Sequence, residues 1–471
     1  MKRSHFLSAA VALSLVTPFG SGGVSRLPNA LPGGSSDRSF PLQASLHASD
    51  AQASDGLGWS VAVSGNVAIV GAMGEAGGIG DPMAGAGAAY VFQRNRDGAS
   101  QWGQVQKLTA SDAQSHDQFG YSVAVSGEYA IVGAAFEAGG PGDPADNAGA
   151  AYVFRRDQGG ASNWGQVQKL TAPDADPDDY FGTSVAIFGD TAVVGAFFED
   201  GGLGHPEADA GAAYVFQNIG GFNWLHVKTL RASDSQPGDR FGNSVAISGD
   251  TALVGAFTED GGSGDPVPLA GAAYIFGRNQ NGPNEWGEVE RLMASDPGSS
   301  DQFGYSVAIS GNLAVVGAIE EDGGLGDPVN NTGAAYVFQN LPGSGWTHVK
   351  KLTAADASAS KFYGRSVAMS GGVVLVGAHG DRGGPNSPMA WVGAAYVHLR
   401  HLGGTNVWGQ AKKLTAPDAQ PGDKFGLSVA LSGRNAVVGA NAEDGGLGDP
   451  LVNAGAAYVY YVSLLKAFKA N

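Results

Sequence analysis

Asp117-Gln118-Phe119-Gly120-Tyr121-Ser122-Val123-Ala124-Val125-Ser126-Gly127, continued by Ala130-Ile131-Val132-Gly133-Ala134, is the stretch that decides the fold. Two short runs rich in β-branched residues meet at a two-residue turn, Gly127-Glu128. Glycine at the first position of such a turn marks a tight primed hairpin. A loop follows, then Gly149-Ala150-Ala151-Tyr152-Val153-Phe154, then a fourth run from Trp164 to Leu170.

The same unit recurs along the chain. Its first glycine falls at Gly58, Gly120, Gly182, Gly242, Gly304, Gly364 and Gly426, in steps of 60 or 62 residues. A tyrosine follows each of them by 32 residues, from Tyr90 to Tyr458, and a tryptophan precedes the next glycine by 18. All length variation therefore lies between Tyr and Trp, where the gap is 12 or 10. A change of two residues preserves side-chain alternation in a hairpin, and no helical repeat needs it. Small residues (Ala62, Ala124, Ala186 and their equivalents) centre the first run, which suits strands converging on an axis. Four antiparallel strands per copy, repeated radially, predict an all-β, seven-bladed β-propeller.

The two chain ends explain how the ring closes. The seventh copy reaches Tyr458 and lacks its Trp run. Phe40 and Leu46 have the spacing of Trp102 and Leu108, and Phe40 precedes Gly58 by 18 residues. The segment Phe40 to His47 is therefore expected to supply the outer strand of the last blade, leaving no free edge.

These residues resemble the FG-GAP repeat family, which forms the β-propeller of integrin α-chains and of many bacterial exported proteins. The "FG" is seen at Phe119-Gly120, Phe181-Gly182, Phe241-Gly242, Phe303-Gly304 and Phe425-Gly426, with Leu57-Gly58 and Tyr363-Gly364 as variants. The "GA" recurs from Gly71-Ala72 to Gly439-Ala440, without the family's Pro. The resemblance spans residues 40–463 and implies adhesion or ligand recognition. Many members carry a D-x-D-x-D-G calcium loop between the first two strands. Here that connection has two residues, too few for the six to eight oxygens calcium takes, so no calcium or other cofactor is expected there.

Composition narrows the rest. The 471 residues include 76 Gly and no Cys, which excludes disulfides, thiolate chemistry and cysteine-bound metals. Lys2 and Arg3 precede an apolar run, Phe6 to Val16, too short to span a bilayer. Residues 1–30 read as an export signal with its linker, cleaved between 20 and 30, so a secreted or cell-surface location is expected. No later run is long enough to be an integral membrane segment. Without Lys2 and Arg3 the chain holds 25 basic against 44 acidic residues, a balance that repels nucleic acid. Residues 464–471 read as a short tail, and a monomer is expected.

Several groups are candidates for chemistry. Connections after the second and fourth strands share one face and are acidic. They carry a glutamate series (Glu75, Glu137, Glu199, Glu259, Glu321, Glu443), Gly-Asp-Pro turns from Asp81 to Asp449, and two aspartate series that begin at Asp50 and Asp55. Aspartates before the Phe-Gly are expected to cap turns. Arg94, Arg96, Arg155, Arg156 and Arg278 lie in the opposite hairpins. Copy six departs most: Lys361 replaces an Asp, Arg365 follows the glycine, and the next loop holds His379, Asp381 and Arg382, with Trp391 nearby. These six residues are the candidate ligand site, since an exposed Trp beside Arg suits a sugar or a protein. Ser60 and its six equivalents occur in every copy and so read as architectural, as do the outer-strand Trp residues. No H-E-x-x-H or G-x-S-x-G motif is present.

The expected function is a non-enzymatic binding or adhesion module that recognises a protein or glycan through the acidic loop face. The alternative is a propeller enzyme, a glycan hydrolase or lyase, with paired carboxylates at the axial mouth.

Overall fold

The computed structural model describes Ala12–Ser14 and residues 39–463, except 77–82, 97, 99, 139–145, 201–207, 261–266, 281, 323–329, 384–388 and 445–450. Seven antiparallel sheets follow one another around an axis. In the first blade the strands run from the hub outward as Ser60–Ser64, Val67–Ala72, Ala88–Arg94 and Trp102–Leu108. Gly65, at the first turn position, has φ 57°, and its six equivalents match it within a few degrees, as the Gly-X hairpins demand.

The innermost strands touch in cyclic order, and the seventh, Ser428–Ser432, meets the first. Serine hydroxyls tie each blade to the next. Ser60 Oγ donates to the Gly120 carbonyl at 2.8 Å, and the series ends with Ser428 donating to Gly58 at 2.7 Å. These seven buried bonds confirm the architectural role of the serines. The Phe-Gly and Gly-Ala pairs have the same origin. Gly71 lies against the carbonyl of Gly120 so closely that a Cβ would overlap it, and Gly120 takes φ 90° with its own face against Ala88. The family signature is thus the backbone-to-backbone seam between blades.

Closure follows the expected scheme. Leu42–Leu46 pairs antiparallel with Ala456–Tyr461. A register shift between Leu42 and Ala44 matches the shift between Gln104 and Gln106 in the first blade, so this strand reproduces its counterparts in detail. Phe40 is buried, as are the Trp residues of the six other outer strands. Ala12–Ser14 pairs parallel with Val429–Leu431 on the hub side of the last blade. The remainder of the expected leader, the tail 464–471 and the Gly-Asp-Pro turns lie outside the described residues. No helix among the described residues is long and apolar enough to cross a membrane.

Candidate functional site

Two sets of polar side chains occupy the face where inner strands begin and second strands end. The first repeats in six of the seven blades. Tyr152 donates its hydroxyl to Asp112 at 2.9 Å. Lys169, from the outer strand, bridges Asp112 at 2.8 Å and Glu137 at 3.0 Å. Lys107, Arg231, Arg291, Lys351 and Lys413 repeat this bridge in their own blades. In the last blade, the register position opposite Tyr458 holds Ser45. Burial pushes the Lys169 ammonium down, but its two carboxylate partners outweigh that and hold it above its usual value. The glutamates are at most 1% exposed. The reading of that series as part of a solvent-facing acidic surface is therefore corrected: the carboxylates turn inward, and Glu75, Glu137, Glu199, Glu259 and Glu321 each lie beside a cation that satisfies them better than the loop would.

The second aspartate series caps turns, as expected. Asp117 accepts the Gln114 backbone N–H at 2.6 Å, and Asp179 accepts that of Asp176 at 2.8 Å. Burial pushes these carboxyls up, to about 6 for Asp117 and about 7 for Asp179 and Asp239, against a single backbone donor that favours the charge. No group of three or more His, Asp or Glu is placed to hold a metal ion among the described residues.

The other set varies from blade to blade and lies at the axial mouth. The residue after each Phe-Gly is buried there, in order Trp59, Tyr121, Thr183, Asn243, Tyr305, Arg365 and Leu427. Neighbours from the ends of second strands join them. Trp59 meets Tyr121 with ring centroids 5.7 Å apart, Tyr121 meets Phe136 at 6.1 Å, and Phe136 meets Tyr180 at 5.0 Å. Arg240 lies over Phe198 at 5.0 Å and Phe257 at 5.6 Å, and Phe257 meets Tyr305 at 5.4 Å. Arg365 lies over Tyr305 at 4.9 Å. The result is an aromatic crown studded with cations.

The crown opens into a pocket of about 450 Å³ between the sixth, seventh and first blades. Trp59, Arg365, His379, Trp391, Lys424 and Leu427 line it, with Asn441 and Gly422. Phe362 packs behind it, stacked on Trp391 (5.6 Å, 18°) and on His379 (5.4 Å, 28°). Burial, then the charges of Arg365 and Lys424, hold His379 well below the usual imidazole range, so it is neutral.

The six residues singled out in the sequence divide between these sets. Arg365, His379 and Trp391 meet in the pocket. Lys361 and Asp381 instead complete the ion cluster of the sixth blade: Lys361 donates to Asp381 at 2.6 Å and to Asp356 at 2.9 Å, beside Lys413. Arg382 is exposed and apart from both. A further departure in this blade is also compensated internally, since Tyr363 and His398 stand where the second to fifth blades have two Phe and hydrogen-bond each other at 2.6 Å. Trp59, Phe362, Lys424 and Asn441 were not among the candidates. For Trp59 the signal was present, as the position after each Phe-Gly varies between invariant neighbours.

A seven-bladed propeller with seams of Phe-Gly and Gly-Ala and a variable mouth defines a class of repeat protein built to present a surface. Comparison with protein families agrees: the FG-GAP repeat model matches residues 40–92, 102–154, 164–216, 224–276, 286–338, 346–398 and 408–460, and the chain belongs to this family. Each match begins at an outer strand and ends on the third strand of the next blade, so the sequence repeat is offset by one strand from the blade. A search of the curated proteins finds no match.

Proposed function

We propose that this chain is an exported binding module that takes up a protein or glycan at its axial mouth and performs no chemistry on it. The observation that carries the reading is the segregation of variation. Side chains that recur from blade to blade satisfy one another in the seams and in six ion clusters, whereas those that change from blade to blade gather at one mouth, as aromatic and basic groups around a pocket. Buried aromatic and Arg anchors dominate recognition energetically. The FG-GAP family points the same way, toward recognition. A carboxylate-pair hydrolase or lyase is disfavoured, since the described residues lining the pocket include no Asp or Glu. Export is supported by the basic, apolar and small-residue order of residues 1–30.

The test is an array of cell-surface and matrix proteins and glycans probed with the mature chain and with Trp59→Ala and Trp391→Asn. A saturable ligand whose affinity drops roughly tenfold or more in either variant is expected. Binding that ignores both substitutions, or an array with no ligand, overturns the reading.

A further inference from the structure

Arg365 is 6% exposed, yet no carboxylate pairs with it and its Nε has no hydrogen-bond partner among the described residues. The ring of Tyr305 lies beneath its guanidinium, and burial pulls it down to about 10, so it is charged at neutral pH. A buried, unpaired cation is strongly unfavourable. Two other departures in this blade carry their own partners: Lys361 has Asp381, and Tyr363 has His398. Arg365 has none, and it opens on a pocket that also holds Lys424 and the neutral His379.

Trp391 adds an independent sign. The position two residues before each Gly-Ala-Ala takes positive φ in all seven blades. Five blades place Gly85, Asn147, Asp209, Asn331 or Asn453 there, the residue types that adopt this conformation most readily, and the fourth places Leu269, away from the pocket. Trp391 adopts it at φ 59°, is 39% exposed, and lies parallel to Phe362 at the pocket wall. A bulky side chain held in a disfavoured conformation at a surface pocket points to a ligand contact.

Resting on the reading of the mouth as a binding site, we propose that this pocket takes a saccharide bearing an anionic group, a carboxylate or a sulfate, with Arg365 and Lys424 at the anion and Trp391 against the apolar face of the sugar ring. A guanidinium presents paired donors to either oxyanion. The pocket has the volume of an ordinary small-ligand site, enough for one or two sugar rings. A flat aromatic wall beside the cations serves a ring better than it serves the short side chain of an acidic peptide.

Calorimetric titration of the mature chain with trigalacturonate, a sulfated trisaccharide, neutral maltotriose and a hexaglutamate peptide tests this. The first two separate carboxylate from sulfate. At least one of them is expected to bind with a dissociation constant below about 1 mM, and roughly tenfold or more tighter than maltotriose. Arg365→Met and Trp391→Asn should each weaken it roughly tenfold or more, with a melting temperature unchanged or raised, because both remove a strained or unpaired group. Equal binding of maltotriose, binding of hexaglutamate alone, or no binding of either anionic sugar up to about 10 mM overturns the proposal. So does retained affinity in Arg365→Met. If the array in the preceding section still yields a ligand sensitive to Trp59→Ala, the binding mouth stands and only its anionic specificity falls.

Discussion

Lys169 and Arg365 are both basic side chains drawn into the same face of the disc, and their surroundings are opposite. Lys169 touches two carboxylates, one of them buried, and five other blades repeat the arrangement. Arg365 occurs once, is more deeply buried, and touches an aromatic ring in place of a carboxylate. Repetition and satisfaction go together here. A residue that recurs from blade to blade has been fitted to its neighbours once and copied, whereas the one that occurs once at the mouth is the one we propose a ligand meets. The clusters are architecture, and the crown is where recognition is sought.

The largest expected effect tests the architectural side. Removing residues 39–47 exposes the edge of Ala456–Tyr461 and leaves Phe425 and Tyr460 uncovered in the last blade. Such an edge pairs with other chains, so size-exclusion chromatography with light scattering should show larger species than the intact chain forms. A monodisperse monomer with an unchanged melting temperature would show that the shared blade is dispensable. Next in size is the direct comparison of the two cations. Lys169→Met leaves the buried Glu137 facing Asp112 without a counter-charge and should destabilise by about 3 kcal/mol in denaturant unfolding, while Arg365→Met should not destabilise at all. Equal losses in the two variants would erase the distinction between cluster and crown.

How much of this was legible beforehand follows from sequence distance. The seams were readable because Ser122, Gly120 and Gly133 recur at fixed spacing, and a strict period needs no knowledge of contacts. Phe40 revealed the closure because it kept its interval to Gly58 after the rest of its unit had moved to the other chain end. The glutamates were misplaced because a carboxylate in a Gly-rich loop reads as solvent-facing. Its cation, Lys169 for Glu137, comes from the far side of a hairpin, and only the register of Tyr152 with Lys169 brings them together. The pocket was half visible. Arg365, His379 and Trp391 stood out as departures within one copy, whereas Trp59 and Leu427 belong to opposite ends of the chain and become neighbours only when the ring closes.

Smaller effects separate the blades by pH. In Asp179 and Asp239 the folded carboxyl titrates at about 7, above its ordinary value of 3.8, because burial disfavours the charge. A raised carboxyl contributes stability that is fully present below its unfolded value and is lost as pH rises through its folded value. Unfolding free energy should therefore fall between about pH 4 and about pH 7, by up to about 1.4 kcal/mol per pH unit for each group in mid-titration. Asp179→Asn should remove one such contribution and flatten the slope. An unchanged slope would mean that the carboxyl is not held in its protonated form by the fold.

The sixth blade offers the finest test, because it alone has Lys361 where the others have the titrating Asp. Lys361 lies between Asp356, Asp381 and the Tyr396 hydroxyl, so this cluster has two cations against two carboxylates. Its two carboxyls are held below their ordinary value: burial opposes the charge, and hydrogen bonds from Lys361 and Lys413 outweigh it. Their contribution is present above about pH 4 and is lost only as pH falls through the folded values. Lys361→Asp would recreate the arrangement of the other blades, three carboxylates around Lys413. The variant should fold, lose about 1–2 kcal/mol at pH 7 through the added buried charge, and recover part of that loss as pH falls toward about 5. If the loss were independent of pH, the difference between this blade and its neighbours would be one of packing and not of charge. Because Phe362 follows Lys361 directly and backs both His379 and Trp391, sugar titration of the same variant would also report whether the cluster positions the pocket wall.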